Sequence, residues 1–191
     1  MSERKLRSLC VYCGSRFGTD PRYQKAAEDL GRLTAEAGLR LVFGGGEQGL
    51  MGVVARAARD AGAPVLGIIP RFLQEKEGLL DNIESREVET MHERKIMMFD
   101  ECEAFCALPG GIGTLEETIE VLSWASLAIH KKPIVLCNVD GYWDPLIDLI
   151  EHMVTGGFAY PGLQESMVVV DRPEDVIGAA EAHLERRLEM V

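Results

Sequence analysis

Short apolar segments alternate with amphipathic segments along the chain, and this alternation limits the fold more than any other feature. The apolar segments are four to seven residues long, as buried strands are, and the segments between them repeat with a helical period. Apolar strands joined by helices are typical of a parallel sheet covered on both faces. With right-handed crossovers, the pattern predicts an α/β fold: a doubly wound Rossmann-type parallel sheet with helices on both faces. The predicted strands are residues 6–12, 39–43, 64–69, 83–88, 104–108, 133–137 and 167–170.

Local signals indicate where the helices begin and end. Thr19 and Asp20 offer an N-cap before Pro21, which suits a first helical turn, and Gly38 ends the same helix. Residues 70–82 are predicted as a loop. The predicted helices are residues 21–37, 49–61, 90–102, 114–129, 143–155 and 173–188.

Length and charge narrow the class of protein. A chain of 191 residues suits one domain, which we predict to span residues 1–191. With 20 Lys and Arg against 31 Asp and Glu, the net charge is −11. Such a chain lacks the surplus of cations that displaces counterions from a nucleic-acid backbone, so we expect no nucleic-acid partner. One bound phosphate needs only a local site and stays compatible with this charge.

Targeting signals and cysteines indicate the compartment. The basic start of the chain is followed by an apolar run of about five residues, which is too short for an export signal. No stretch approaches the length of a membrane span, so we expect no membrane association. Five cysteines, an odd number, favour a reduced cytoplasmic protein. Cys10 and Cys13 have the spacing of a redox or zinc pair, but no second pair follows, and we interpret them as buried thiols.

Three glycine-bearing loops follow predicted strands. They are CGS at residues 13–15, GGG at residues 44–46 and PGG at residues 109–111. Each alone is explained by tight turn geometry. Because the carboxyl ends of parallel strands meet at one edge of the sheet, where ligands bind in this architecture, the three together favour a shared anion or nucleotide site.

The segment PGGIGTLEE at residues 109–117 carries the strongest signal. Its glycines allow close approach of the backbone, and the N–H groups and dipole of the following helix suit a phosphate. Thr114 can cap that helix or donate its hydroxyl to the phosphate. Glu117 follows three residues later, about 4.5 Å along the helix axis, where a ribose attached to the phosphate would lie. The alternative is that Glu116, Glu117 and Glu120 have no role in binding and lie near the helix N-terminus because the helix dipole favours acidic side chains there.

The segment TMHERK at residues 90–95 is the second candidate. Thr90 and Glu93 form a capping box. Arg94 and Lys95 then lie early in the helix, where its dipole disfavours cations, which suggests a bound anion or a paired carboxylate. The alternative is that Arg94 and Lys95 are solvated cations on the surface of an acidic protein. His92 has no second His or Cys at metal spacing, so we assign it to solvent or a structural hydrogen bond and expect no metal.

Taken together, these motifs resemble the LONELY GUY family of cytokinin riboside 5'-monophosphate phosphoribohydrolases, formerly described as lysine decarboxylases. The resemblance covers about residues 6–176. It implies a hydrolase that cleaves the N-glycosidic bond of adenosine-type 5'-monophosphates, AMP and N6-prenylated ones, to a free base and ribose 5-phosphate. It also implies no cofactor, and a homodimer with sites at the interface. The motifs are CGS (13–15), GGG (44–46), GLMG (49–52), MHERK (91–95), PGGIGTLEE (109–117), WA (124–125), HKKP (130–133) and NVDGY (138–142).

The resemblance also implies roles for individual residues. Arg94 and Glu117 match the catalytic pair of the family. A carboxylate can stabilise the oxocarbenium-like state, hold the ribose hydroxyls or orient water, and Arg94 can anchor the phosphate, position Glu117 or ease departure of the base. Further substrate contacts are implied for Ser15, Gly45, Glu77, Arg94, Lys95, Gly110, Gly111, Ile112, Gly113, Thr114, Leu115 and Glu116.

Two competing functions use the same features. A non-catalytic nucleotide-binding or carrier protein would share the fold, because fold alone does not determine function. A carboxylate beside the sugar favours the enzyme, since a carrier does not need one. A pyridoxal-phosphate decarboxylase would need a Schiff-base lysine with cofactor partners, and only Lys95 is suitably placed for that role.

Overall fold

A computed structural model describes residues 6–189, and within them seven strands form one parallel sheet in the order β4-β3-β2-β1-β5-β6-β7. Helices cover both faces, so the predicted Rossmann-type class is confirmed. Residues 1–5, which hold Arg4 and Lys5 of the basic start of the chain, lie outside the described residues. The strands are β1 (Ser8–Tyr12), β2 (Arg40–Phe43), β3 (Val65–Pro70), β4 (Glu84–Val88), β5 (Ala104–Ala107), β6 (Ile134–Cys137) and β7 (Val168–Val170). The α-helices are α1 (Pro21–Glu36), α2 (Gly49–Asp60), α3 (Arg71–Glu77), α4 (Met91–Asp100), α5 (Ile112–Ser126), α6 (Asp144–Thr155) and α7 (Val176–Glu189).

β1 lies at the centre of the sheet, and its residues alternate between two apolar clusters. Leu9 and Val11 pack in the cluster beneath α1, α2 and α7, whereas Cys10 and Tyr12 pack in the cluster beneath α4, α5 and α6. Both faces of a strand are buried in this way only when helices cover both sides of the sheet. Cys13 belongs to the first cluster, so Cys10 and Cys13 lie on opposite faces and are buried, free thiols.

The strand order reverses beside β1, which creates the crevice where a ligand can bind. β1 pairs with β2 on one side and with β5 on the other, and β5 follows β4 only after the chain has crossed the sheet. In doubly wound sheets, such a switch point opens at the carboxyl ends of the strands. The loops after β1, β2 and β5 all end there, as predicted.

One prediction is wrong, and one of the two alternatives for Thr114 is excluded. Residues 70–82 do not form only a loop, because α3 occupies Arg71–Glu77. This helix buries none of its residues, so it has no apolar stripe that a periodicity analysis could detect. Thr114 does not cap α5: the helix begins at Ile112 with Gly111 as its N-cap, and Thr114 is already buried in the first turn.

Other differences concern helix ends and a short turn. The predicted N-cap before α1 is confirmed, since the Asp20 side chain accepts the Arg22 N–H. The last predicted helix, residues 173–188, begins with a short 3-10 turn at Pro173–Asp175 and continues as α7. Within residues 6–189, no helix combines the length and apolar character that crossing a bilayer requires.

Candidate active site

Backbone hydrogen bonds join the CGS loop to the PGG loop and to the first turn of α2, the helix that follows the GGG loop. The Gly14 N–H donates to the Pro109 carbonyl at 3.1 Å, and the Gly14 carbonyl accepts the Leu50 N–H at 3.0 Å. Gly110 packs so closely that a Cβ there would lie 2.1 Å from the Thr114 hydroxyl oxygen and 2.8 Å from the Gly14 nitrogen. A side chain at this position would separate the loops, so the glycine is required by packing.

A cavity of about 520 Å³ opens where these loops meet. This volume lies in the range of small-molecule sites. Gly45, Lys95 and Leu115 do not line it, although all three were predicted as substrate contacts. The predicted residues that do line it are Ser15, Glu77, Arg94, Gly110, Gly111, Ile112, Gly113, Thr114, Glu116 and Glu117.

The N-terminus of α5 offers unused hydrogen-bond donors to the cavity. The first backbone N–H of this helix to find an acceptor is that of Leu115, which donates to the Gly111 carbonyl at 3.0 Å. The N–H groups of Ile112, Gly113 and Thr114 donate to no acceptor in the described part of the chain. Free N–H groups together with the helix dipole make a site for a phosphate or another anion.

Arg94 is buried, and its guanidinium is held by backbone carbonyls of β3 and of the GGG loop. Its Nε donates to the Ile68 carbonyl at 3.1 Å, and its Nη2 donates to the Gly44 carbonyl at 2.8 Å. A Cβ on Gly44 would lie 1.9 Å from Nη2, so only glycine leaves room for this guanidinium. Nη1 lies 3.7 Å from Oε1 of Glu117. The structure therefore brings together the two residues that were predicted as a catalytic pair.

Glu117 is a buried carboxyl group on the cavity wall, with 11% of its side chain exposed. Burial raises its pKa to about 7, although the positive charge of Arg94 acts in the opposite direction. Near neutral pH, both its protonated and its ionised forms are populated. A carboxyl group poised in this way is suited to proton transfer and to stabilising positive charge.

Glu77, at the end of α3, contributes a second carboxylate. Its Oε2 is buried and has no hydrogen-bond partner among residues 6–189. A Cβ on Gly46 would lie 3.0 Å from this oxygen, so the GGG loop packs directly against it. Because an unpartnered buried oxygen is costly, the atom is suited to accept a hydrogen bond from a ligand hydroxyl or amine.

Lys95 and Glu116 contact each other at the edge of the site. The Lys95 Nζ donates to Glu116 Oε1 at 2.5 Å and to Glu120 Oε1 at 3.0 Å, which holds α4 against α5. Burial lowers the pKa of Lys95, but the hydrogen bonds to these two carboxylates outweigh it and raise the pKa above its usual value.

The remaining predicted residues have structural positions. Gly45 adopts a φ of 82°, a conformation that favours glycine, and Leu115 packs against the apolar cluster beneath α4, α5 and α6. The predicted capping box is confirmed: the Thr90 hydroxyl accepts the Glu93 N–H at 3.1 Å, and Glu93 accepts the Thr90 N–H at 3.3 Å. His92 is exposed, as expected.

Several lining residues were not predicted. Arg16 and Phe17 directly follow the CGS loop, so that loop could have pointed to them. Tyr142 comes from the connection between β6 and α6, and its hydroxyl donates to the Gly110 carbonyl at 2.5 Å. No pattern in the sequence links residues so far apart. The other lining residues that were not predicted as site residues are Cys13, Gly14, Gly18, Tyr23, Leu50, Met51, Met91 and Pro109.

The sequence is similar to known proteins over most of its length. A family model described as "Possible lysine decarboxylase" matches residues 51–180. A cytokinin riboside 5'-monophosphate phosphoribohydrolase LOG from Oryza sativa subsp. japonica is 50% identical over 155 residues, which are 81% of this chain and 64% of that protein. The chain thus spans less than two thirds of this relative. A second relative, the cytokinin riboside 5'-monophosphate phosphoribohydrolase LOG3 from Arabidopsis thaliana, is 44% identical over 184 residues, which are 96% of this chain and 86% of that protein.

Solved structures share the fold at lower identity. The Moco Carrier Protein from Chlamydomonas reinhardtii superposes with a TM-score of 0.72 at 21% identity, over 96% of this chain and 99% of that one. A molybdenum cofactor binding protein from Rippkaea orientalis gives 0.69 at 22% identity, over 95% and 98%. At this identity the likeness shows the architecture alone. The family match and the closely similar relatives show more: the chain belongs to the LONELY GUY family.

Proposed function

We propose that this chain is a phosphoribohydrolase that cleaves the N-glycosidic bond of adenosine-type nucleoside 5'-monophosphates, AMP and its N6-prenylated forms. One observation carries the proposal: the buried carboxyl group of Glu117, 3.7 Å from Arg94, lies three residues beyond the free N–H groups that begin α5. The site thus combines an anion subsite with an acidic group at the distance of a ribose. The names of the relatives, cytokinin riboside 5'-monophosphate phosphoribohydrolases, support the same activity.

In the proposed reaction, the phosphate binds the N–H groups at the start of α5. The bond between C1' and the base nitrogen breaks, the base leaves with the electron pair and takes up a proton, and a water hydroxyl adds to C1'. Positive charge develops on the sugar, and the ionised form of Glu117 stabilises it. Arg94 keeps that carboxylate in place, because two backbone carbonyls fix its guanidinium.

The residues do not fit a pyridoxal-phosphate decarboxylase. A Schiff-base lysine must reach the cofactor in its neutral form. Lys95, which alone was suitably placed for that role in the sequence, does not line the cavity and is ion-paired with Glu116 and Glu120. Those two carboxylates keep the amine protonated.

Release of free base tests the proposal. The chain incubated with AMP or with an N6-prenylated analogue should yield adenine or the prenylated base, which chromatography separates from the monophosphate. The Arg94→Ala variant should lose this turnover, because Glu117 loses its partner. A chain that binds these monophosphates and releases no base from any of them would instead support a nucleotide carrier.

We further propose a homodimer, one domain per chain and a cytoplasmic location. Ile112 and Ile119, seven residues apart on one face of α5, are 81% and 39% exposed, and Ile96 on α4 is 38% exposed. Apolar side chains grouped on neighbouring helices support an interface beside the site. One sheet that contains all seven strands, from β4 at one edge to β7 at the other, supports a single domain, and five buried free cysteines support a reducing compartment.

A further inference from the structure

Two consecutive aromatic residues hold the turn that precedes α5. The Trp143 indole N–H donates to the Ala107 carbonyl at 3.2 Å, and the Tyr142 hydroxyl donates to the Gly110 carbonyl at 2.5 Å. Their own segment is fixed in turn, because the Trp143 backbone N–H donates to Asn138 Oδ1 at 2.6 Å. The connection between β6 and α6 therefore acts as a support for the neighbouring turn.

This support determines which way the Gly110–Gly111 peptide faces. In a trans peptide, the carbonyl and the following N–H point in opposite directions, and the described chain contains no cis peptide. With its carbonyl turned to Tyr142, the peptide directs the Gly111 N–H away from that hydroxyl, and no described residue accepts it. A peptide between two glycines flips easily, so the direction depends on the bond.

A flipped peptide would change the electrostatic potential at the phosphate subsite. The Gly110 carbonyl oxygen would be free to face the N-terminus of α5, where its partial negative charge would repel a phosphate. In the structure the Tyr142 hydroxyl donates to the Gly110 carbonyl, whereas the neighbouring Pro109 carbonyl accepts the Gly14 N–H at 3.1 Å. The ring of Tyr142 is itself held by an edge contact with Tyr23, with ring centroids 5.4 Å apart.

We propose that Tyr142 is a positioning residue for phosphate recognition: its hydroxyl orients the Gly110–Gly111 peptide so that the loop presents N–H groups to the 5'-phosphate. The inference rests on the proposed function, because it assigns the phosphate of the substrate to this loop. It predicts that Tyr142, which lines the cavity, contributes to the preference for a nucleoside monophosphate over the nucleoside through the loop and not through a hydrogen bond of its own to the phosphate.

The test compares Tyr142→Phe with the parent chain, both in a Glu117→Gln background so that AMP stays intact during titration calorimetry. Tyr142→Phe keeps the ring and removes one hydroxyl. We expect the affinity for AMP to fall about fivefold, as for the loss of one net hydrogen bond, and the affinity for adenosine to change by less than about twofold. With Glu117 present, the KM for AMP should rise while kcat stays within about twofold.

Tyr160→Phe, which removes a hydroxyl outside the site, is the matched control and should leave both affinities unchanged. Equal losses for AMP and adenosine, or no loss for AMP, would overturn the role of Tyr142. A folded parent chain that binds no AMP at all would contradict the proposed function itself, so the two failures are distinguishable.

Discussion

Arg94 is oriented before any ligand binds, because the Ile68 and Gly44 carbonyls accept two of its N–H groups. Its position early in α4 is unfavourable for a cation, and from this the sequence predicts a bound anion or a paired carboxylate. The structure supplies the carboxylate, Glu117, and also two carbonyls that no sequence pattern reveals. The raised pKa of Glu117 was equally inaccessible, because it depends on burial between elements distant in sequence.

The pKa of Glu117 leads us to expect a stability that depends on pH. The folded chain holds this proton up to a pKa of about 7, whereas the ordinary value is 4.5. Between these values the folded state binds more protons than the unfolded state, so the free energy of unfolding falls as the pH rises. From pH 5 to pH 8, this loss should be about 2 kcal/mol larger in the parent chain than in Glu117→Gln. Urea unfolding at both pH values measures it.

Glu75→Gln is the control, since it removes an exposed carboxyl group from α3. It should keep the pH dependence of the parent chain. If Glu117→Gln also keeps that dependence, the carboxyl group of Glu117 does not titrate in this range and the account of its burial is wrong.

At the scale of elements, glycine at Gly14, Gly49 and Gly110 lets the backbone of the CGS loop pack against the PGG loop and against the start of α2. The sequence predicts that these loops lie together, because the alternation of apolar and amphipathic segments indicates a parallel sheet. In such a sheet the carboxyl ends of the strands all lie on the same side. It does not predict the start of α5 or the existence of α3, because Gly111 is a weak helix signal and α3 has no buried face. Glu77, on α3, therefore came from the family resemblance and not from its local pattern.

Gly110→Ala tests the contact between the loops. The new Cβ would overlap the Thr114 hydroxyl and approach the Gly14 nitrogen at 2.8 Å, so we expect a loss of about 1–3 kcal/mol in unfolding free energy. Turnover of AMP should fall about a hundredfold, because the phosphate subsite is displaced. Thermal unfolding and the base-release assay measure the two effects.

Gly178→Ala is the matched control, because a Cβ at this exposed position in α7 meets no atom within 4 Å. It should stabilise the chain by up to about 1 kcal/mol, since alanine is the better helix former, and leave turnover unchanged. A Gly110→Ala variant with the activity of the parent chain would show that the loops need not touch.

At the scale of the whole molecule, the alternation of apolar and amphipathic segments was sufficient to predict the architecture, and all seven strands were predicted. Assembly is different, because a single sequence does not show which exposed side chains face a partner. Ile96, Ile112 and Ile119 become candidates only once the fold places α4 beside α5 through the contacts of Lys95 with Glu116 and Glu120.

Ile119→Glu tests the proposed dimer. A buried charge without a partner is costly, so the variant should sediment at the 21.0 kDa of one chain while the parent sediments at twice that mass. Leu149→Glu places the same charge at another exposed apolar position, on α6, and should remain dimeric. A parent chain that sediments as a monomer, or an Ile119→Glu variant that stays dimeric, would contradict the proposed interface.

The most direct test of the whole account separates binding from turnover in Glu117→Gln. In the proposed reaction, the start of α5 binds the phosphate while Glu117 acts on the sugar. Adenine release from AMP should therefore fall by at least about a hundredfold, while the dissociation constant for AMP changes by less than about threefold. Adenine release at the rate of the parent chain would contradict it.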